Sequence, residues 1–117
     1  MRRLIYICSP YSDNPKEHTK AARSYCRKVY ECGYIPLAPH LHFPQFLDDS
    51  KPKERRDGLQ MATELLRRCN SLLICGDRIS EGMMMEIQLA KQLGMMVTTL
   101  DGFLIAQKMR QQTAPTI

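Results

Sequence analysis

Short apolar runs alternate along this chain with longer stretches in which apolar residues recur every three to four positions. Leu4 to Cys8 is a continuous apolar run of strand length, a pattern that requires cover on both faces, as in a parallel sheet. Ser9-Pro10-Tyr11-Ser12 breaks it. Asn14-Pro15 then offers a helix cap with proline at the first helical position, and Glu17 completes a capping box. The helix carries Ala21, Ala22, Tyr25, Cys26, Val29 and Cys32 along one stripe and stops at Gly33. Tyr34 to Ala38 reads as a short strand whose Pro36 marks an edge or a strand end. Pro39 to Asp49 is irregular, with a helical turn at Phe43 to Leu47 and enough apolar content to pack down. Ser50-Lys51-Pro52 opens a second long helix with Leu59, Ala62, Leu65, Leu66 and Cys69 inward. Leu72 to Cys75 is a third strand. Glu81 to Leu93 follows as a helix with Met84, Ile87, Ala90 and Leu93 as its buried stripe, ended by Gly94. Met95 to Leu100 is a fourth strand, Gly102 to Gln112 a closing helix, and Thr113 to Ile117 a tail.

Strands alternating with helices predict an α/β fold: a three-layer α/β/α sandwich with a parallel sheet of about four strands and right-handed crossovers, flavodoxin- or Rossmann-like. Residues 1–117 are expected to form a single domain. Ligands in such sheets bind beyond the carboxyl ends of the strands, where strand order reverses. Three loops leave those ends, Ser9 to Ser12, Pro39 to His42 and Gly76 to Glu81, and together they would make one mouth.

Composition narrows the class. Apolar residues make up 44% and charged residues 25%, the balance of a soluble globular protein. Tryptophan is absent, so an aromatic platform for single-stranded nucleic acid is not expected. The net charge of +5 suits an anionic ligand such as a phosphate ester. Its basic residues are spread along the chain in nothing larger than short clusters such as Arg55-Arg56 and Arg67-Arg68, as on solvated helix faces rather than a nucleic-acid surface. Cys8, Cys26, Cys32, Cys69 and Cys75 are odd in number and lack a Cys-x-x-Cys pair, which suits reduced core thiols in a cytoplasmic protein. The apolar run behind Met1-Arg2-Arg3 is too short for a secretory signal, and no segment approaches the ~18–20 apolar residues of a membrane span.

Candidate chemistry gathers at the mouth. Glu86 lies a full turn inside its helix between Met85 and Ile87, where a surface carboxylate is out of place. A partly desolvated acid there can serve as nucleophile or general base; on a solvated face it would only support the helix dipole. Ser80 is a helix cap or a phosphate contact, and Gly82 leaves the first turn open to a ligand. Asp77 and Arg78 are loop residues, Arg78 being a candidate anion contact. Tyr6 reaches the site if its ring points toward the carboxyl end, and otherwise is a core tyrosine. His40 is a candidate ligand-facing histidine. His40 and His42 near Asp48 and Asp49 lack a third ligand at a familiar spacing, so no metal is expected. No cofactor motif is present: neither a Walker sequence nor Gly-x-Gly-x-x-Gly occurs.

Ile5-Tyr6-Ile7-Cys8-Ser9-Pro10-Tyr11, with the helix after it, resembles the opening of nucleoside 2-deoxyribosyltransferase-like proteins. Ser80-x-Gly82-x-x-x-Glu86, directly after the third strand, resembles that family's active-site signature, and the resemblance spans Leu4 to Leu100. The blocks Gly33 to Pro36, Ala38 to His40 and Asp77 to Met83 are similar to those of a group of small bacterial and phage proteins. The resemblance implies a nucleoside or nucleotide ligand. It implies Glu86 as nucleophile at the anomeric carbon, Tyr6 as its orienter, and Ser80 with Ser9, Pro10, Tyr11 and Ser12 as sugar and phosphate contacts. The relatives' aspartate serving the base matches a place near Ala62 or Thr63, where this chain has no acid. Three readings stay open: an N-glycosidase or deoxyribosyltransferase, a binder of a nucleotide-derived ligand, and an interaction protein using Met83-Met84-Met85 at a subunit interface. A homo-oligomer is expected in each.

Overall fold

The computed structural model describes residues 1–113. In chain order it contains β1 (Leu4–Cys8), α1 (Pro15–Glu31), β2 (Ile35–Leu37), two 3₁₀ turns (Pro39–Leu41 and Phe43–Gln45), α2 (Pro52–Arg67), β3 (Ser71–Ile74), α3 (Glu81–Gln92), β4 (Met96–Thr99) and α4 (Leu100–Thr113). The tail expected beyond Thr113 lies outside the described residues. All strand pairs are parallel and the sheet order is β2-β1-β3-β4, so the chain reverses its direction of travel across the sheet between β1 and β3. This is the expected three-layer Rossmann-like α/β arrangement. None of the described helices is long and apolar enough to cross a membrane.

Alternation along β1 divides the core. Ile5 and Ile7 pack with Val29, Leu73, Cys75, Leu100 and Phe103 in the layer of α1 and α4. Tyr6 and Cys8 point the other way, into the layer of α2 and α3, among Leu66, Leu72, Met83, Ile87 and Ala90. β1 is covered on both faces and flanked by strands on both edges, which explains its unbroken apolar sequence. β2, with its Pro36, is an edge strand as the proline indicated.

Four expectations need correction. Asn14 precedes α1, but its side chain makes no capping bond and the box with Glu17 does not form. Its φ of −153° and ψ of 74° depart from cap geometry, and the turn is closed by the backbone, from Asn14 N to Tyr11 O at 3.3 Å. The buried stripe of α3 is Met83, Ile87 and Ala90 rather than one through Met84 and Leu93, which are 45% and 42% exposed. Three consecutive methionines are alike in hydropathy, so periodicity alone does not choose among them. Leu59 on α2 is 60% exposed, and that helix is anchored through Leu66 near its other end. α4 starts at Leu100 with no preceding loop, because the Thr99 hydroxyl accepts a bond from Gly102 N at 3.0 Å and caps it directly.

Leu66 is fully buried, and its truncation to alanine is expected to cost roughly 2–5 kcal/mol. Leu59→Ala should stay within about 0.5 kcal/mol of the parent. Urea denaturation of the two variants measures this, and equal losses would contradict the orientation of α2.

Candidate functional site

Tyr6 and Cys8 sit two residues apart on the central strand and therefore share the face toward α3. Ser80 fixes where α3 begins: its side chain accepts from Met83 N at 3.2 Å, in extended backbone geometry. With the helix seated through Met83 and Ile87, Glu86 falls on the border of the buried stripe and is turned against β1. The Tyr6 hydroxyl donates a hydrogen bond to Glu86 Oε2. Cys8 Sγ stands 3.6 Å from Oε1 and 3.8 Å from the Met83 carbonyl.

Burial raises the Glu86 pKa, and the Tyr6 and Cys8 hydrogen bonds oppose that rise. Burial and the adjacent carboxylate push the Tyr6 phenol and the Cys8 thiol far up, so both remain protonated donors. The group is therefore one acid held by two neutral donors. Among the described residues no cation forms an ion pair with it. Such a carboxylate is suited to nucleophilic attack or proton abstraction on an uncharged centre.

The three loops do meet. Gly76 has φ of 98°, and a Cβ there would lie 3.1 Å from Pro10 Cδ, so only glycine lets the β3–α3 loop rest on the β1–α1 loop. His40 Nε2 donates to the Ser9 carbonyl at 3.2 Å, and its ring stacks on Tyr11 with centroids 4.6 Å apart. Burial lowers the His40 pKa, against the Ser9 bond and nearby Asp49. Ser9 itself is buried, with its hydroxyl unpartnered. Around Gly82 the space is open, with nothing within 4 Å of where a Cβ would stand. Arg78 is paired with Asp13 and lies 3.3 Å from His18, whose ring is 2.9 Å from the same aspartate. Asp77 is exposed beside this clasp and acts electrostatically on Tyr25.

Tyr11 and Ser12 also line an open depression of about 530 Å³ with Leu47, Asp48, Asp49 and Arg55. A second depression, about 380 Å³, runs along α2 at Leu59, Gln60, Thr63 and Glu64. Neither is walled by Tyr6 or Glu86. The expected site residues thus fall into a buried acid cluster (Tyr6, Glu86), a helix start above it (Ser80, Gly82) and a loop cluster at the rim (Ser9 to Ser12, His40, Asp77, Arg78).

Cys8 was missing from the sequence-derived site, where it read as a core thiol. Its signal was the two-residue spacing from Tyr6, which places both on one face. Asp13 and His18, partners of Arg78, carried no such signal, because the contact joins the β3–α3 loop to the start of α1 across some 60 residues of sequence.

A family model described as a domain of unknown function (DUF7768) matches residues 3–100. No curated protein matches the chain in sequence. Among solved structures, the 2-deoxyribosyltransferase of the psychrotolerant bacterium Bacillus psychrosaccharolyticus is similar, with a TM-score of 0.62 and 16% identity, over 80% of this chain and 69% of that one. At that identity the likeness is one of fold.

Because burial lifts the Glu86 pKa above its ordinary value of 4.5, the folded chain binds more protons than the unfolded chain between 4.5 and the raised value. The carboxyl's contribution to stability is complete below that window and is lost as pH rises through it. Glu86→Gln, which does not titrate, is therefore expected to gain stability relative to the parent on going from acid to neutral pH. Urea denaturation at both pH values measures the difference, and a constant difference would contradict the buried placement.

Proposed function

We propose that this chain, which belongs to the family described as a domain of unknown function (DUF7768), binds a nucleoside or nucleotide and cleaves or transfers its N-glycosidic bond, with Glu86 as nucleophile. The observation that carries this reading is the Tyr6–Glu86 hydrogen bond, which holds a mostly shielded carboxylate against the central strand beside Cys8, its last residue. The fold likeness to a 2-deoxyribosyltransferase supports a nucleoside as the ligand class.

In this reading a Glu86 oxygen forms a bond to the anomeric carbon while the bond from that carbon to the base breaks. The electron pair leaves with the base, which takes up a proton from solvent. Water, or a second base, then attacks from the face the first base left and gives up a proton to solvent, while the bond to Glu86 breaks and its electron pair returns to the carboxylate, so configuration at the sugar is retained. Tyr6 holds the carboxylate in orientation, the open turn at Gly82 admits the sugar, and Ser80 with the Ser9 to Ser12 segment contacts its polar groups. Arg78, engaged with Asp13, fixes the rim and reaches an anion only by leaving that pair. The neutral, stacked His40 and Tyr11 offer a flat surface beside the depression.

One observation favours a second reading, binding without turnover. The position expected to supply an acid for the leaving base is occupied by Ala62 and Thr63, and the Thr63 hydroxyl is spent on the Leu59 carbonyl at 3.0 Å. Asp57, a turn away, is paired with Lys53 at 2.9 Å. Self-association belongs to both readings, with Met84 and Met85 presenting 45% and 71% exposed apolar side chains at the start of α3. Sedimentation that finds only monomer at micromolar concentration would remove it.

Incubation with a panel of nucleosides and 5'-monophosphates is expected to release free base. Glu86→Ala and Glu86→Gln should lower that release by roughly 10³-fold or more. Thermal stabilisation by a ligand with no base released would select the binder, and neither effect would select the interaction protein.

A further inference from the structure

The Glu86 carboxylate meets two donors of unequal strength from one strand. The Tyr6 phenol gives Oε2 a charge-assisted O–H bond. The Cys8 thiol, 3.6 Å from Oε1, is a weak donor. Its one proton has a second acceptor in the Met83 carbonyl, 3.8 Å from the sulfur. Cys8 is 1% exposed, and burial beside a carboxylate keeps it protonated, so it is neither a nucleophile nor an accessible target for oxidants.

Resting on the glycosyl-transfer reading, we propose that Cys8 is a positioning residue for Glu86: it gives Oε1 a donor too weak to claim it, so that Oε1 is the oxygen that bonds to the sugar. Tyr6 keeps its bond to Oε2, which becomes the carbonyl oxygen of the glycosyl ester as the carboxylate charge is consumed. As Oε1 gives its electron pair to the new bond, the thiol proton turns to the Met83 carbonyl, and no buried donor is left stranded. A hydroxyl at this place would bind Oε1 more tightly and blunt it. The groups acting on Glu86 are Tyr6 and Cys8, both from β1, while Cys69 beyond α2 acts on Tyr6. Among the described residues no ion pair reaches Glu86 from α2, β3 or β4.

Two readouts on Cys8→Ser and Cys8→Ala test this. The first is the titration of ¹³C-labelled glutamate carboxyls in ligand-free protein, with Glu86 assigned by its loss in Glu86→Gln. The second is the single-turnover rate of base release, followed across pH. Glu86 is expected to titrate lower in Cys8→Ser and higher in Cys8→Ala. With Glu86 fully ionised, base release should slow about tenfold in Cys8→Ser and not slow in Cys8→Ala, whose acid limb moves to higher pH. An unchanged Glu86 titration in both variants would show that the thiol does not act on the carboxylate. A shifted titration with undiminished release in Cys8→Ser would show that Oε1 is not the reacting atom. Should the buried serine prevent folding, the acid limb and titration of Cys8→Ala decide the matter. Absence of base release by the parent overturns the glycosyl-transfer reading and the assignment of the reacting oxygen with it, while the titration still decides whether Cys8 holds Oε1.

Discussion

A carboxylate seated between a helix and a sheet must be given donors, since burying a charged group without hydrogen bonds costs several kcal/mol (on the order of its desolvation). In this protein the donors come from the strand directly beneath. Tyr6 is locked in place by its register, opposite Leu37 on one side and Leu72 on the other. α3 is held by Met83, Ile87 and Ala90, all buried. Neither partner of the Tyr6–Glu86 bond is therefore free to drift, and the geometry of the acid is set by core packing on both sides of it. Burial raises the group's affinity for protons and the two neutral donors oppose that rise, so it holds a proton more readily than a free carboxyl yet can still ionise, a balance suited to a group that must alternate between charged and bonded states.

The rim is built on a different principle. Its loops rest on a buried base at Ser9, Pro10 and Pro39 and are tied to one another by close backbone approach and polar contacts. Gly76 lets two loops touch, His40 joins the 3₁₀ segment to the Ser9 carbonyl, and Asp13 links Arg78 with His18. The Arg78–Asp13 pair is about half exposed on each side, and pairs of that kind contribute little to stability. Its consequence is positional: it sets how the β3–α3 loop lies over the start of α1, next to the helix end where Ser80 and Gly82 stand.

Much of this was legible beforehand, and the parts that were not have identifiable causes. The runs Leu4 to Cys8 and Leu72 to Cys75 read as buried strands because both faces are apolar, and the strands found, Leu4–Cys8 and Ser71–Ile74, lie there within one residue. Gly33 marked a helix end because a glycine readily takes the positive φ found there, and Ser80 a helix start because its hydroxyl reaches the backbone of the first turn. Asn14 misled because a capping residue type does not guarantee the dihedral angles that let its side chain reach back. The methionine run misled because identical hydropathies carry no phase, and Leu59 because an apolar residue near a stripe need not belong to it.

The amino-acid sequence by itself determined the succession of strands and helices, the covered central strand, and an acid in an apolar setting one turn into the third helix. Those features depend on neighbours within a few residues, whose periodicity and turn chemistry act over that range. Only the tertiary structure decided that Cys8 as well as Tyr6 would meet Glu86, that Arg78 would be taken by Asp13, and that Ser9 would be buried. The first of these contacts joins residues about 80 positions apart. The distance closes because β3 pairs with β1, a choice made by the packing of the whole sheet and its helices and written in no single segment.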